Sequence, residues 1–207
     1  MTENPDAVQD EPHAAKPVRI LEAGALKALA HPLRIQMYDI LSQFGPQTAS
    51  SLAERLGESS GATSYHLRAL AKHDLIREVE GLGTARERWW ERPRGAVSMT
   101  NPDAIKTPAG RAATEVVVSE FYRRREEQLQ DYLRKALRGN PDDWEAMLST
   151  STISLTQEQF DTLSEAIQAL IDDASDRFRD QTGPGVRRFT VRTDIFPLEP
   201  LPEGATS

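Results

Sequence analysis

The chain of 207 residues contains no cysteine. This excludes disulfide bonds, thiolate metal sites and a cysteine nucleophile. The sequence also has no apolar run close to the ~18 residues that a membrane-spanning helix needs. The N-terminus lacks the basic and then apolar order of a signal peptide. We therefore expect a cytoplasmic protein without a membrane partner.

The chain as a whole lacks an excess of positive charge. Its net charge is −7, with 25 Lys and Arg against 32 Asp and Glu. The charge is unevenly distributed: residues 1–15 carry −4, residues 16–94 carry +3 and residues 95–207 carry −6. A polyanion such as DNA would therefore meet only the middle segment. Three charges are too few to identify a nucleic-acid-binding protein without further features.

Residue patterns for catalysis and metal binding are also missing. The sequence has no glycine-rich phosphate loop, no nucleophile elbow and no His-Glu zinc helix. Of its four histidines, His31 lies at a helix boundary, while His66 and His73 lie seven residues apart on a helix flank. We therefore predict that the protein is not an enzyme and has neither a metal site nor a cofactor.

Composition and hydrophobic spacing divide the chain into three parts. Residues 1–17 are rich in Pro, Glu and Asp, which predicts a disordered acidic tail. Residues 18–94 show short helical patterns followed by a two-stranded ribbon, and residues 95–207 begin with a helical stretch over 109–138. The further elements predicted in the third part are a helical turn over 141–148, a β-like run over 150–155, a helix opened by a capping box at Thr156 and Gln159, and a strand over 186–196.

The short helices of the second part have clear start and stop signals. Pro32 suits the first turn of the second helix. Thr48 is the expected N-cap of the third helix, and Gly57 ends it. Ser59 or Ser60 then caps a fourth helix. Two helices joined by a turn in this way follow the helix-turn-helix pattern.

The fourth helix has two unlike faces when it is projected at 100° per residue. Thr63, Leu67 and Leu70 fall on one face, which is typical of a buried side. The opposite face is small and uncharged at its start, basic toward its end, and free of carboxylates. Tyr65 and Arg68 are long enough to reach base edges in a major groove, and Arg68 would prefer guanine. The alternative is an ordinary solvated helix.

A basic hairpin is predicted directly after this helix. An alternating run over 75–80 is followed by a glycine-rich turn over 81–84 and a return strand over 86–91. Its arginines, Arg77, Arg86 and Arg88, could lie along the phosphate backbone or in the minor groove. The alternative is a surface hairpin with unpaired arginines.

Together, these features resemble the winged helix-turn-helix of ArsR-type bacterial transcriptional regulators. The resemblance covers residues 20–92 and includes the ALAHPLR entry, a positioning helix with Leu-Ala-x-x-Leu-Gly, a recognition helix with Ser-x-x-x-Ser-x-His-Leu-x-x-Leu, and a glycine-tipped wing. It implies a homodimer that binds a palindromic operator on double-stranded DNA, usually as a repressor. Carried over by position, it implies DNA contacts by Ser60, Gly61, Ala62, Ser64, Tyr65, His66 and Arg68 in the recognition helix, and by Thr84, Arg86 and Arg88 in the wing.

The effector is where the sequence departs from that family. Metal-sensing members use cysteine pairs, or Asp and His pairs on the terminal helix, and this chain has neither. A small-molecule effector is a further candidate partner. Its pocket could use aromatic residues, although ordinary packing explains them better: Trp89, Trp90, Trp144, Phe121 and Tyr122.

The predicted fold class is mainly α with small β. It consists of a winged helix-turn-helix domain over residues 18–94, followed over 95–207 by a long dimerisation helix and a small C-terminal α/β region. The third part resembles the tail of extended actinobacterial members, and this resemblance implies that it adds dimer interface. The alternative function is a winged-helix module that binds another protein and does not bind DNA.

Overall fold

The computed structural model describes residues 18–84, 87–140 and 145–199. Within these ranges the chain is mainly helical with two small sheets, as predicted. The described residues up to 149 form one compact unit, and those from 150 onward form a second. The acidic tail predicted for residues 1–17 lies outside the described residues.

The first unit combines helices with short strands. Strands β1 (Arg19–Ile20) and β5 (Val97–Ser98) pair in parallel, whereas β2 (Gln47–Thr48), β4 (Glu87–Glu91) and β3 (Arg77–Thr84) form an antiparallel sheet in that order. A short 3-10 turn, Ala104–Lys106, precedes the last helix. The helices are α1 (Ala23–Leu29), α2 (Pro32–Phe44), α3 (Ala49–Leu56), α4 (Ser60–Ala71) and α5 (Pro108–Ala136).

The predicted helix boundaries in the helix-turn-helix segment are confirmed. Pro32 is in the first turn of α2. Thr48 and Ser51 form a reciprocal capping box at the start of α3, with distances of 3.1 and 3.0 Å. Gly57 ends α3 in the left-handed conformation, and Ser59 caps α4 by accepting a hydrogen bond from a backbone N–H three residues later. These side chains satisfy backbone groups that the helix ends would leave unpaired.

The hydrophobic core of this unit lies between α1, α2, α4 and the beginning of α5. Burying a large apolar side chain stabilises a fold by about 1.5–3 kcal/mol. Because the core includes Val117 of α5, the long helix belongs to the same unit as the helix-turn-helix. The large apolar side chains that are fully buried are Leu21, Leu26, Leu29, Ile35, Met37, Leu52, Leu67, Leu70, Leu75, Ile76 and Val117.

Helix α5 confirms the long helix predicted over 109–138. All of its buried residues lie in its first ten positions. Further along, two polar contacts attach it to α2: Arg124 is 3.3 Å from the Asp39 carboxylate, and the side chains of Gln128 and Gln43 are 3.1 Å apart. The apolar stripe beyond these contacts is only partly covered.

The hairpin forms as predicted, but residues 81–84 belong to its first strand. The sequence predicts a turn over 81–84, and this prediction is wrong because β3 continues through Thr84. The strand accommodates the glycines as an irregularity: its register against β4 shifts between Glu78 and Gly83, and Gly81 and Gly83 have φ angles of 77° and 103°. Residues 85 and 86, which connect the strands, lie outside the described residues.

The second unit contains α6 (Gln157–Phe178). Its predicted capping box is confirmed by hydrogen bonds between Thr156 and Gln159 at 3.0 and 3.3 Å. The strands predicted over 150–155 and 186–196 are wrong, since these residues have no strand partner and their large apolar side chains stay exposed. Alternation favours a strand only where another strand pairs with it. The expected C-terminal α/β region therefore has its helix but no strand among its described residues.

The helical turn predicted over 141–148 falls partly outside the described residues. The described part, residues 145–148, is not helical. The backbone N–H of Glu145 donates to the Tyr132 hydroxyl at 3.2 Å, which joins this residue to α5.

One buried hydroxyl links α3 and α4 by a hydrogen bond. Thr63 is fully buried, and its Oγ1 donates a hydrogen bond of 2.8 Å to the carbonyl oxygen of Ala49, the first residue of α3. Leu67 and Leu70 continue the same face of α4 into the core. The contact joins residues 14 positions apart, so it is a tertiary contact between the two helices.

We expect Thr63→Val to lower the free energy of unfolding by about 1–2 kcal/mol, because it removes a buried hydrogen bond while keeping the side-chain volume. The measurement is denaturant unfolding. Thr162→Val is the control, since that exposed hydroxyl bonds only within α6. Equal stability of the Thr63→Val variant and the parent would contradict this role of the hydroxyl.

Candidate nucleic-acid interface

The two predicted faces of α4 are confirmed by burial. Thr63, Leu67 and Leu70 are fully buried. On the opposite side, Tyr65 is 64% exposed and Arg68 is also exposed. The remaining predicted contact residues of this helix are exposed or half-buried: Ser60 and Gly61 are exposed, while Ala62, Ser64 and His66 are half-buried.

The electrostatics of α4 favour an anionic partner. No carboxylate occurs between Ser60 and Lys72, and the positive end of the helix dipole lies at the small residues of its start. Arg68 and Lys72 add charge toward the end of the exposed face. This face therefore offers N–H groups to a phosphate at one end and long cationic side chains at the other.

The His66 side chain points toward the start of α2. Its ring lies 4.6 Å from the ring of His31, centroid to centroid, and 5.3 Å from that of Tyr65. His31 in turn caps α2 by accepting a hydrogen bond from the backbone N–H of Leu33 at 3.2 Å. Burial lowers the pKa of His66, His31 and Arg34 lower it further, and Glu58 raises it. His66 thus links the exposed helix to α2.

Arg34 is a further residue of this surface, and sequence reasoning assigned it no role. It is half-buried, and its pKa is lowered mainly by burial, while Tyr65 raises it. Its charge acts on both Tyr65 and His66 of α4. Arg34 is the arginine of the ALAHPLR entry, whose spacing indicates the fold but assigns no role to this side chain.

The hairpin is less basic than its arginines suggested. Arg88 pairs with Gly83 near the tip and forms an exposed ion pair with Glu78 at 3.4 Å. Arg77 lies at the base and contacts Glu91 at 2.7 Å. Exposed ion pairs contribute roughly 0–1 kcal/mol, so Arg88 can exchange its partner at little cost.

Two of the predicted wing residues cannot be placed as side chains. Thr84 ends β3, but its side chain is outside what the structure describes, and so is Arg86 as a whole. The residues predicted for the recognition helix thus lie on one helix, α4, and of the predicted wing residues only Arg88 has a described side chain. Glu80 and Glu87 also lie on the hairpin strands and are exposed.

The aromatic residues considered for an effector pocket have separate surroundings. Trp90 belongs to the core, and Trp89 is half-buried in the same strand. Phe121 and Tyr122 contact each other edge-on at 6.5 Å on α5. Trp144 lies outside the described residues. Core and helix packing account for those that the structure describes.

Two other features are absent from the described residues. Among residues 18–84, 87–140 and 145–199, no group of three or more His, Asp or Glu side chains could hold a metal ion. Within those ranges, none of the helices is both long enough and apolar enough to cross a membrane.

Gly83 is required by the hairpin, because a Cβ at this position would lie 2.2 Å from the carbonyl oxygen of Glu87 and the φ angle is 103°. We expect Gly83→Ala to disrupt strand pairing near the tip. Amide hydrogen exchange of β3 and β4 would show lost protection. Gly81→Ala is the matched control: it has a positive φ but open space around its Cβ, so it adds backbone strain without the clash. Equal amide hydrogen exchange in the Gly83→Ala and Gly81→Ala variants would contradict a steric requirement for glycine at position 83.

The lowered pKa of His66 predicts a pH-dependent stability. Protonation is harder in the folded than in the unfolded chain, whose histidine pKa is about 6.5. The stability that neutral His66 contributes is therefore complete above this pH and is lost as the pH falls below it. We expect His66→Gln to reduce the drop in melting temperature between pH 7.5 and 5.5, ~1 unit on either side of 6.5. The parent and variant at pH 8 serve as the reference, and parallel pH profiles would contradict the assignment.

Residues 29–79 match a family of helix-turn-helix domains, so the segment from the end of α1 to the start of β3 contains such a domain. A search of curated proteins gave no match. The chain is similar to the solved structure of AdcR, the adhesin competence repressor of Streptococcus pyogenes, at 14% identity, covering 68% of this chain and 79% of that chain, with a TM-score of 0.32. It is also similar to RV1404 from Mycobacterium tuberculosis at 17% identity, covering 72% of this chain and 81% of that chain, with a TM-score of 0.29. A mutant of ZitR from Lactococcus lactis in its apo form is similar at 17% identity, covering 70% of this chain and 83% of that chain, with a TM-score of 0.33. With TM-scores this low, the winged helix-turn-helix assignment rests on the family match and on the observed elements.

Proposed function

We propose that the protein is a sequence-specific DNA-binding transcription regulator of the ArsR type, which acts as a homodimeric repressor on a palindromic operator. The observation that carries this proposal is the exposed face of α4. It presents Tyr65 and Arg68 outward, contains no carboxylate, and is held in place by the buried Thr63 on its other side. The protein would then act by binding and not by catalysis.

In this proposal α4 lies in the major groove. Gly61, Ala62 and Ser64 are small enough for the helix backbone to approach the groove closely, and the N–H groups near Ser60 face a phosphate. Tyr65 reaches a base edge, and Arg68 binds guanine O6 and N7 with its two guanidinium nitrogens. His66 contributes by supporting α4 against His31, and the charge of Arg34 adds to the positive potential beside it.

The wing has a smaller role. Thr84, Arg86 and Arg88 are proposed to touch the DNA backbone or minor groove beside the recognition helix. To contact DNA, Arg88 would exchange its exposed ion pair with Glu78 for a contact with a phosphate. The glutamates of β3 and β4 limit the wing to a few local contacts, because they repel phosphates elsewhere along the hairpin.

Dimerisation is supported by the uncovered part of α5. With 29 residues it extends about 43 Å at 1.5 Å per residue, yet its buried residues lie near its start. Leu129, Tyr132 and Leu133 are half-buried, and Leu137 is 76% exposed. A second copy of α5 is the proposed cover for this stripe. Two recognition helices would then reach half-sites about one DNA turn apart.

A protein-binding module remains the alternative function, favoured by the net charge of −7 and by the glutamates on the hairpin. A salt titration against random duplex separates the two. A DNA-binding protein binds random duplex at low ionic strength and loses affinity as salt rises. A complete lack of binding at low salt would favour the protein-binding module.

The direct test of the proposal is to capture DNA from a random duplex pool with the purified protein and to sequence it. A palindromic site with two half-sites is expected. Footprinting on that site should show protection of two adjacent major grooves on one side of the duplex. Enrichment of no sequence would contradict sequence-specific binding.

On the selected site we expect Arg68→Ala to lower affinity by about 1–3 kcal/mol, which corresponds to about 5- to 150-fold, and to relax the preference at one base pair. Arg111→Ala is the matched control, since Arg111 is an exposed arginine on another helix, α5. The measurement is a fluorescence anisotropy titration at fixed salt. If both variants bind as the parent does, the proposed DNA face is wrong.

A further inference from the structure

A small basic cleft lies where α4 and β4 end, outside the proposed DNA-binding face. Its volume is about 60 Å³. Arg19, Arg92 and Arg94 line it together with Tyr38 and Leu75, and Pro93, Gly95, Ala96 and Val97 complete the lining. No Asp or Glu is among its lining residues. In a chain with net charge −7, three arginines thus line one small space.

Two of these guanidinium groups are held by neutral partners. Arg19 donates from its two terminal nitrogens to the backbone carbonyl oxygens of His73, at 3.1 Å, and Asp74. Arg92 donates to the carbonyl oxygen of Gly95 at 3.0 Å and lies over the Tyr38 ring, 5.9 Å from its centroid. Within the part of the chain that the structure describes, neither arginine forms an ion pair with a carboxylate. The contacts fix both groups in place and leave their charge uncompensated.

The volume and chemistry of the cleft define the ligand. A cavity needs about 10–15 Å³ to hold one water molecule. The cleft therefore has room for roughly four to six non-hydrogen atoms. Guanidinium groups bind phosphate and carboxylate through paired hydrogen bonds. We propose that this cleft binds one small free oxyanion of the size of inorganic phosphate.

The cleft lies past the end of α4, and none of the proposed DNA-contacting residues lines it. The small residues that begin α4 lie at the opposite end of a 12-residue helix, about 18 Å away at 1.5 Å per residue, whereas Arg68 lies in the last turn, nearer the cleft. Residues 92–97 follow β4 at the base of the hairpin, away from its tip. The backbone phosphate of a DNA duplex is the other source of the same chemistry, so the experiment must distinguish it from a free anion. The proposal does not depend on DNA binding.

An anion in this cleft would connect three parts of the unit. Arg19 belongs to β1 and is attached to the end of α4, Tyr38 belongs to α2, and Arg92 directly follows β4. A phosphate bound between the guanidinium groups would offset their mutual repulsion. Binding should therefore raise the melting temperature of the protein as well as produce a direct signal.

The test is calorimetric titration of the full chain with inorganic phosphate at constant ionic strength, with chloride as the balancing anion. We expect saturable binding of one phosphate per chain and a higher melting temperature at saturation. Arg92→Gln should weaken binding about tenfold or more, because it removes one charged partner of the anion. Arg111→Gln, an exposed substitution outside the cleft, should bind within about twofold of the parent.

Arg19→Gln is the second variant, in case loss of the Tyr38 contact prevents Arg92→Gln from folding; circular dichroism checks both. It should weaken phosphate binding in the same way. The absence of saturable binding to the parent, or unchanged binding by a folded cleft variant, would overturn the proposal. An equal loss in Arg111→Gln would also overturn it, since it would point to general charge attraction.

The second arm measures binding of random duplex by the same variants. Duplex affinity within about twofold of the parent for Arg92→Gln supports a site for a free anion. A parallel loss of phosphate and duplex binding would assign the cleft to the DNA backbone and overturn the proposal. If the parent binds no duplex at all, the proposed function fails, whereas the phosphate titration still decides the question of the cleft.

Discussion

The hydrogen bond from Thr63 to the Ala49 carbonyl is the contact on which the presentation of α4 depends. It joins the start of α3 to the first turn of α4 at a fully buried position. Leu67 and Leu70 then hold the rest of the helix against the core. With one face fixed in this way, Tyr65 and Arg68 can only point outward. The proposed DNA-binding surface is thus a result of packing on the opposite side of the same helix.

Local signals made the helix-turn-helix readable from the sequence. Pro32, Thr48, Gly57 and Ser59 each act within a few residues of their own position, and a hydrogen bond or a backbone angle explains each one. The two faces of α4 follow from spacing alone. The prediction that Thr63 is buried and Tyr65 is exposed did not require knowing which elements pack against α4.

The failures of prediction involve partners that are distant in sequence. Whether residues 186–196 form a strand depends on a neighbouring strand that pairs with them. The alternation of apolar and polar residues within the segment does not show whether such a partner exists. The turn predicted over 81–84 was wrong because β3 includes Gly81 and Gly83, with an irregular register against β4. The contact of His66 with His31 and the pairing of Arg88 with Glu78 likewise join separate elements. Spacing within one helix or strand contains no information about such contacts.

The separation of the two faces of α4 has a consequence for how this protein can diverge. Substitutions at exposed positions that pack against nothing usually change stability by about 0.5 kcal/mol or less. Arg68 is such a position, whereas Thr63, Leu67 and Leu70 are buried and Tyr65 contacts the ring of His66. In the proposed DNA-binding role, the target preference could therefore change through outward residues such as Arg68 while the folded scaffold stays the same.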